Sequence, residues 1–172
     1  MMCGSDFYPA RSLLDDGLLD NVEAITRSRM MSSIRGKDTQ PELIVRRYLH
    51  ACGFRFRLHR KDLPGRPDLV LPKWRVALFV HGCFWHGHQK CRYFRLPNTR
   101  HEFWKAKIQG NRIRDIRAEK RLSEQGWHVL TIWECALRDC RKEALLQLAT
   151  LIRNGAAGAE IRSEAAQRDR AE

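Results

Sequence analysis

The stretch "HGCFWHGHQKC", His81 to Cys91, sets three histidines, two cysteines and two aromatic residues into eleven positions. Cysteine and histidine spaced in this way constrain a chain strongly, because a metal held by both closes a loop and contributes folding free energy directly. Cys83, His88 and Cys91 converge if the segment loops, and a structural zinc site takes a fourth tetrahedral ligand. Cys135, at the end of "WHVLTIW", is the first candidate for that position; Cys140, beyond a polar turn, is its rival. Ordinary buried thiols beside a surface histidine are the plain alternative, since CxxxxHxxC is not a common finger spacing. Cys3 and Cys52 read as a tail thiol and a small core residue.

With 172 residues the chain is one domain of ordinary size, long enough for a core without disulfides. Six cysteines at irregular spacing therefore read as metal ligands plus spare thiols rather than a disulfide framework. The formal charge of +12 is unevenly placed, with 28 basic and 11 acidic residues between positions 26 and 153. A surplus of that size in one stretch favours a polyanionic partner over simple solubility. No apolar run approaches the ~20 residues of a membrane span, and no signal pattern opens the chain. A cytoplasmic protein without a membrane partner is expected.

Residues 1–25 show no sustained period and are expected to form a loose extension, with the domain over 26–153 and a disordered tail over 154–172. "DTQPELIVRRYLHACG" has the marks of a helix: Thr39 and Glu42 at capping-box spacing, Pro41 in the first turn, Gly53 at the exit. "FRFRLH" alternates as a half-buried strand would, and "WRVALFV" and "WHVLTIW" read as further strands. Residues 101–125 are charged and helix-permissive, with a ragged apolar stripe of Trp104, Ile108, Ile113 and Ile116. "KEALLQLATLIRNG" is a last amphipathic helix closed by Gly155. This order gives an α/β class, a mixed sheet flanked by helices.

Several side chains carry two readings. His81 and His86 are general-base candidates, because imidazole titrates near neutrality, or plain surface histidines. Asp68 in "GRPDLVL" is a hard-cation ligand beside the end of the next strand at Val80, or a turn carboxylate. Glu42 is otherwise a helix cap, and Asp115 otherwise neutralises Arg112 and Arg114. Phe84, Trp85 and Trp104 are core residues, or flat groups among cations that wedge between bases.

The chain resembles the very-short-patch-repair (Vsr) DNA mismatch endonucleases over roughly residues 26–140. The resemblance rests on "RSRMMSSIRGKDTQPE", "LPGRPDLVLP", "FVHGCFWHGH", "TRHEFWKAKIQGNRIRD" and "GWHVLTIWEC". It implies a restriction-endonuclease-like fold with one structural zinc, and an enzyme that nicks one strand of duplex DNA 5′ to the thymine of a T:G mismatch. Such mismatches arise when 5-methylcytosine deaminates, so functional association with a cytosine-5 DNA methyltransferase is implied as well. Action as a monomer is expected.

By the same resemblance Asp68 and the Val80 backbone carbonyl hold catalytic Mg²⁺, and His86 is the general base that activates water. Glu42 and Asp115 support the metal–water network and that histidine, while His81 contacts phosphate. Cys83, His88, Cys91 and Cys135 match the zinc ligands, and Phe84, Trp85 and Trp104 match the wedging aromatics. Lys105, Lys107, Arg112 and Arg114, on the basic helix, are expected to meet DNA phosphate. The chain departs from the family at Val80, where a well-studied member has threonine. It also departs in having two residues between His88 and Cys91, where members with one are familiar.

Overall fold

The computed structural model describes residues 37–165. The extension expected over 1–25, Cys3 and most of the "RSRMMSSIRGKDTQPE" block lie outside them.

Helix α1, Gln40–Ala51, begins where the sequence places it. Thr39 is its N-cap, Pro41 lies in the first turn, and the Glu42 carboxylate reaches back to the cap. Strands β1 (Arg57–Leu58), β2 (Leu69–Leu71) and β3 (Val76–His81) follow as antiparallel neighbours, with a 3₁₀ turn, Pro72–Trp74, joining the last two. Helix α2, His101–Glu124, crosses over to β4, His128–Trp133, which pairs parallel to β3. Short α3 (Glu134–Asp139) and α4 (Arg141–Arg153) lead to β5, Ala159–Ile161, parallel to β4 at the sheet edge. The result is a five-stranded mixed sheet in the order β1-β2-β3-β4-β5. No helix among the described residues is long and apolar enough to cross a membrane.

Alternation along the strands divides the core between two faces. Leu69, Leu71, Val76, Leu78, Val80, Leu130, Ile132 and Ile161 pack on one side with Val45 and Leu49 of α1 and Leu145, Leu148 and Ile152 of α4. Val70, Ala77 and Val129 face the other way, onto Leu122 of α2 and Leu63.

Two expectations need correction. The stripe assigned to α2 is not its buried face: Ile108 is buried, but Ile113 is 41% and Ile116 63% exposed, and Ala118 and Leu122 bury instead. The helix rests on loops as much as on the sheet. Gly65, at φ +72°, lies where a Cβ would come within 2.5 Å of the Ala118 Cβ. Gly87, at φ +59°, lies where one would come within 2.5 Å of the Ile108 Cγ2. These two glycines let α2 lie directly on the loop before Asp68 and on the loop around His86. The second correction concerns the tail expected from 154 onward. It contains β5, whose Ile161 is buried, followed by buried Ser163. Three residues of strand held by main-chain hydrogen bonds to a parallel edge leave little side-chain period to read.

"FRFRLH" yields only the two residues of β1, both exposed, because Phe54 enters the core before the strand begins.

Candidate active site

The parallel register sets His81, the last residue of β3, opposite Trp133, the last of β4. Both strands then turn at the same end of the sheet, so the loop after β3 and the first turn of α3 meet. Backbone bonds from His86 to the Gly82 carbonyl (3.2 Å) and from His88 to that of Cys83 (2.9 Å) curl the loop back on itself. Cys83, His88, Cys91 and Cys135 converge there, all buried, with one ligand atom from each inside a 4.8 Å group that could hold a metal ion.

The spacing bears on which metal would fit. His88 Nδ1 lies 3.6 Å from the Cys83 sulfur and 3.5 Å from that of Cys135. A tetrahedron with Zn–S about 2.3 Å and Zn–N about 2.05 Å has an N–S edge of about 3.55 Å. Without an ion the sulfurs are coupled by a proton: Cys83 as donor pulls the Cys135 thiol well below its usual range and is itself pushed up. Cys140 lies outside the group.

On the sheet side of this cluster the two remaining histidines stack. The His81 and His86 rings are 3.7 Å apart and 6° from parallel. Burial, and then the neighbouring His86, push His81 down to about 3, so it is neutral at ordinary pH. His86 Nδ1 is 2.7 Å from Asp115 Oδ2 on α2. A carboxylate can only accept, so Nδ1 carries a proton, and in the neutral ring Nε2 is the nitrogen with the lone pair.

Asp68 immediately precedes β2 and accepts a 2.8 Å bond from the Val80 N–H. In a strand the N–H and C=O of one residue point to the same side, so the Val80 carbonyl also faces the Asp68 edge. One carboxylate and one carbonyl are the hard oxygen donors that a small divalent cation prefers. Burial, with the Glu42 charge adding to it, raises Asp68 to about 6; the Val80 N–H, His86 and Arg46 oppose that rise.

Glu42 is tied on several sides, accepting from Asp38 N (3.1 Å), Thr39 Oγ1 (2.9 Å) and Arg46 Nη2 (2.7 Å). The cap reading therefore holds, while its charge still bears on Asp68. Arg46 itself bridges Glu42, Asp38 and His59, a constellation that sequence reasoning missed; an arginine four residues after a glutamate was its only signal.

Phe84, Trp85 and Trp104 form one half-buried cluster of edge-on rings, with centroids 5.2 to 6.0 Å apart. Lys107 Nζ lies 5.5 Å from the Trp85 ring and 5.4 Å from that of Trp104. Phe103, 46% exposed and packed on Trp104, extends the patch and was not singled out beforehand. The "FW" pair repeated at 84–85 and 103–104 was the available signal. Asn111 donates 2.7 Å to the Trp85 carbonyl and fixes the loop to α2. Of the other cations, Lys105 is exposed beside Glu102, Arg112 packs against Gly87, and Arg114 folds back on the Gly110 carbonyl.

A carboxylate and a braced histidine at a strand end, beside a cysteine–histidine cluster and a basic aromatic patch, are groups that suit a DNA endonuclease. The model of the family described as DNA mismatch endonuclease Vsr matches residues 19–92. The chain is 51% identical over 122 residues to the type II nicking enzyme V.XorIIP of Xanthomonas oryzae pv. oryzae, covering 71% of this chain and 89% of the relative. It is 46% identical over 125 residues to the DNA mismatch endonuclease Vsr of Escherichia coli, covering 73% and 80%. It is also 42% identical over 119 residues to the type II nicking enzyme V.NmeAIP of Neisseria meningitidis, covering 67% and 84%. The chain belongs to the Vsr family.

Metal analysis of the purified protein is expected to find about one zinc per chain, since the four ligands close the site. Cys83→Ser and Cys135→Ser should lower metal content and solubility together, and Cys140→Ser should leave both unchanged. Full metal retention by Cys135→Ser would remove that ligand.

Asp68 gives a second prediction. Its folded pKa lies above the unfolded value of 3.8, so its stability contribution is present at low pH and lost as pH rises through 6. Asn keeps the acceptor for Val80 without the buried charge, and Asp68→Asn should therefore stabilise the metal-free protein at pH 7 by on the order of 1–3 kcal/mol. Thermal melts should show that gain vanishing by pH 4; a Tm unchanged at pH 7 would mean the carboxylate is not strained by burial.

Proposed function

We propose that this protein nicks one strand of duplex DNA 5′ to the thymine of a T:G mismatch, by Mg²⁺-dependent hydrolysis on a restriction-endonuclease-like fold. The observation that carries the reading is His86, oriented by Asp115, stacked on neutral His81, with Asp68 in electrostatic reach. Phosphodiester hydrolysis needs a nucleophile activated in line with the leaving oxygen and charge neutralised on the phosphate.

Each group has a role that its environment supports. His86 Nε2 takes the proton from the attacking water, and Asp115 stabilises the imidazolium that forms. Asp68 and the Val80 carbonyl would hold Mg²⁺, and a cation held there would supply charge neutralisation on the phosphate and on the departing 3′-oxygen. The Val80 side chain, in place of threonine, is immaterial to a backbone ligand. His81 contacts phosphate and keeps the His86 ring in plane, and Glu42 tunes the Asp68 charge. Zinc on Cys83, His88, Cys91 and Cys135 would hold the loop and stay outside the chemistry, because four protein ligands leave no open position for water. The products are a 5′-phosphate and a 3′-hydroxyl.

Substrate choice follows from deformability. Phe84, Trp85 and Trp104 wedge beside the mismatch, where a wobble pair has already lowered the cost of unstacking. Lys105, Lys107, Arg112 and Arg114 meet phosphate. The enzyme acts as a cytoplasmic monomer, alongside a cytosine-5 DNA methyltransferase whose deaminated sites it repairs. A second reading has its own support: two of the three relatives named above are type II nicking enzymes by name, which allows a restriction- or defence-type nuclease without mismatch selectivity.

Single-turnover nicking of T:G, T:A and C:G duplexes by wild type and Trp85→Ala separates these. Wild type should prefer T:G, and Trp85→Ala should lose that preference more than it loses duplex binding. Equal wild-type cleavage of all three duplexes would promote the second reading. A Tm fall matching the ~3–5 kcal/mol of a truncated core aromatic, with selectivity intact, would return Trp85 to the core.

A further inference from the structure

Trp133 touches both halves of the site. One face of its indole stacks on His88, with centroids 4.0 Å apart and planes 7° from parallel. It meets His81 at 5.3 Å and 73°, edge to face, and His81 in turn stacks on His86. A continuous row of rings therefore runs from the cysteine–histidine cluster to the histidine that Asp115 braces.

Two further observations give this row a purpose. A metal-ligating histidine ordinarily donates its second ring N–H to a carboxylate, carbonyl or water, and that bond sets the ring's orientation. His88 Nε2 is buried and has no such partner among the described residues, and the flat contact with Trp133 sets the ring's plane. Trp133 is itself anchored from β5: its Nε1–H donates to Glu160 Oε2 at 3.2 Å. Indole has no other polar atom and no acceptor capacity, so this is its single directional tie. Two residues beyond the strand, the buried Ser163 N–H donates to the Cys135 sulfur at 3.5 Å. Glu160 lines the same cleft as His81, His86 and Asp115, with a volume of about 220 Å³, so the anchor sits beside the site.

We propose that Trp133, fixed by Glu160, is the positioning residue that orients His88 in the metal cluster and carries that order to the His81–His86 pair. The C-terminal strand is thereby a working part of the active site. The catalytic half of this inference rests on the role proposed for His86; the metal half does not.

The test uses the full chain with its zinc bound, as wild type, Glu160→Ala, Glu160→Gln, Trp133→Phe and the Trp133→Phe/Glu160→Ala double variant. Zinc release to a chelator, measured without DNA, should be about 10-fold faster for Glu160→Ala and Trp133→Phe, the lower end of what loss of an outer-shell partner costs. Glu160→Gln should be rescued to wild-type release, because its amide oxygen still accepts from the indole. Single-turnover nicking at saturating enzyme should fall about 10-fold in the same two variants and recover in Glu160→Gln, with duplex Kd unchanged. The double variant should be no worse than either single one, as for two residues sharing one bond. Wild-type zinc release by Glu160→Ala, failure of Glu160→Gln to rescue, or additive losses in the double variant would overturn the proposal. Altered zinc release in a protein whose wild type nicks no duplex would instead count against the function proposed for His86 alone.

Discussion

The parallel pairing of β3 with β4 is the constraint from which the site follows. Six residue pairs, Val76 with His128 through His81 with Trp133, bring two chain segments some fifty residues apart to a common end. Because they are parallel, both chains leave the sheet at that end, and Cys83 and Cys135, two residues beyond His81 and Trp133, meet without a long connection. A slip of β4 by one residue against β3 would turn Trp133 to the opposite face and scatter the cluster. The apolar alternation that buries Leu78 and Val80 against Leu130 and Ile132 holds that register, so the hydrophobic core sets the chemistry's geometry.

What the core assembles is electrostatically uneasy, as working sites often are. Asp68 keeps a carboxylate where burial disfavours its charge, and Glu42 adds a second negative charge nearby. The cysteine cluster crowds sulfurs that cannot all ionise without a cation. Positive charge from outside would relieve both strains: a divalent ion on oxygen donors in one place, a thiophilic ion in the other. Helix α2 braces the result, since Asp115 reaches His86 only because glycine at 65 and 87 lets the helix lie against both loops.

Much of this was legible in the residues. Capping at Thr39 and Glu42, the strands around Leu78 and Leu130, and the convergence of Cys83, His88, Cys91 and Cys135 follow from period and ligand type. Resemblance supplied what spacing could not, the pairing of His86 with Asp115, because a contact across twenty-nine residues leaves no local pattern. The ragged stripe on α2 did not mark its buried face, because the helix packs on glycines and leaves Ile113 and Ile116 exposed. The strand at Ala159–Ile161 was taken for tail because its few side chains form no period, and with it went Glu160 and the anchoring of Trp133.

The central claim is that Asp68 and His86, on either side of the end of β3, form one metal-dependent centre for cutting DNA. It is tested most directly by the Mg²⁺ dependence of single-turnover nicking in wild type, Asp68→Ala and His86→Ala, with duplex affinity measured on the same preparations. The account predicts rate losses of roughly 10²-fold or more in both variants, with duplex binding largely retained. Near-normal, Mg²⁺-dependent nicking by either variant would contradict it.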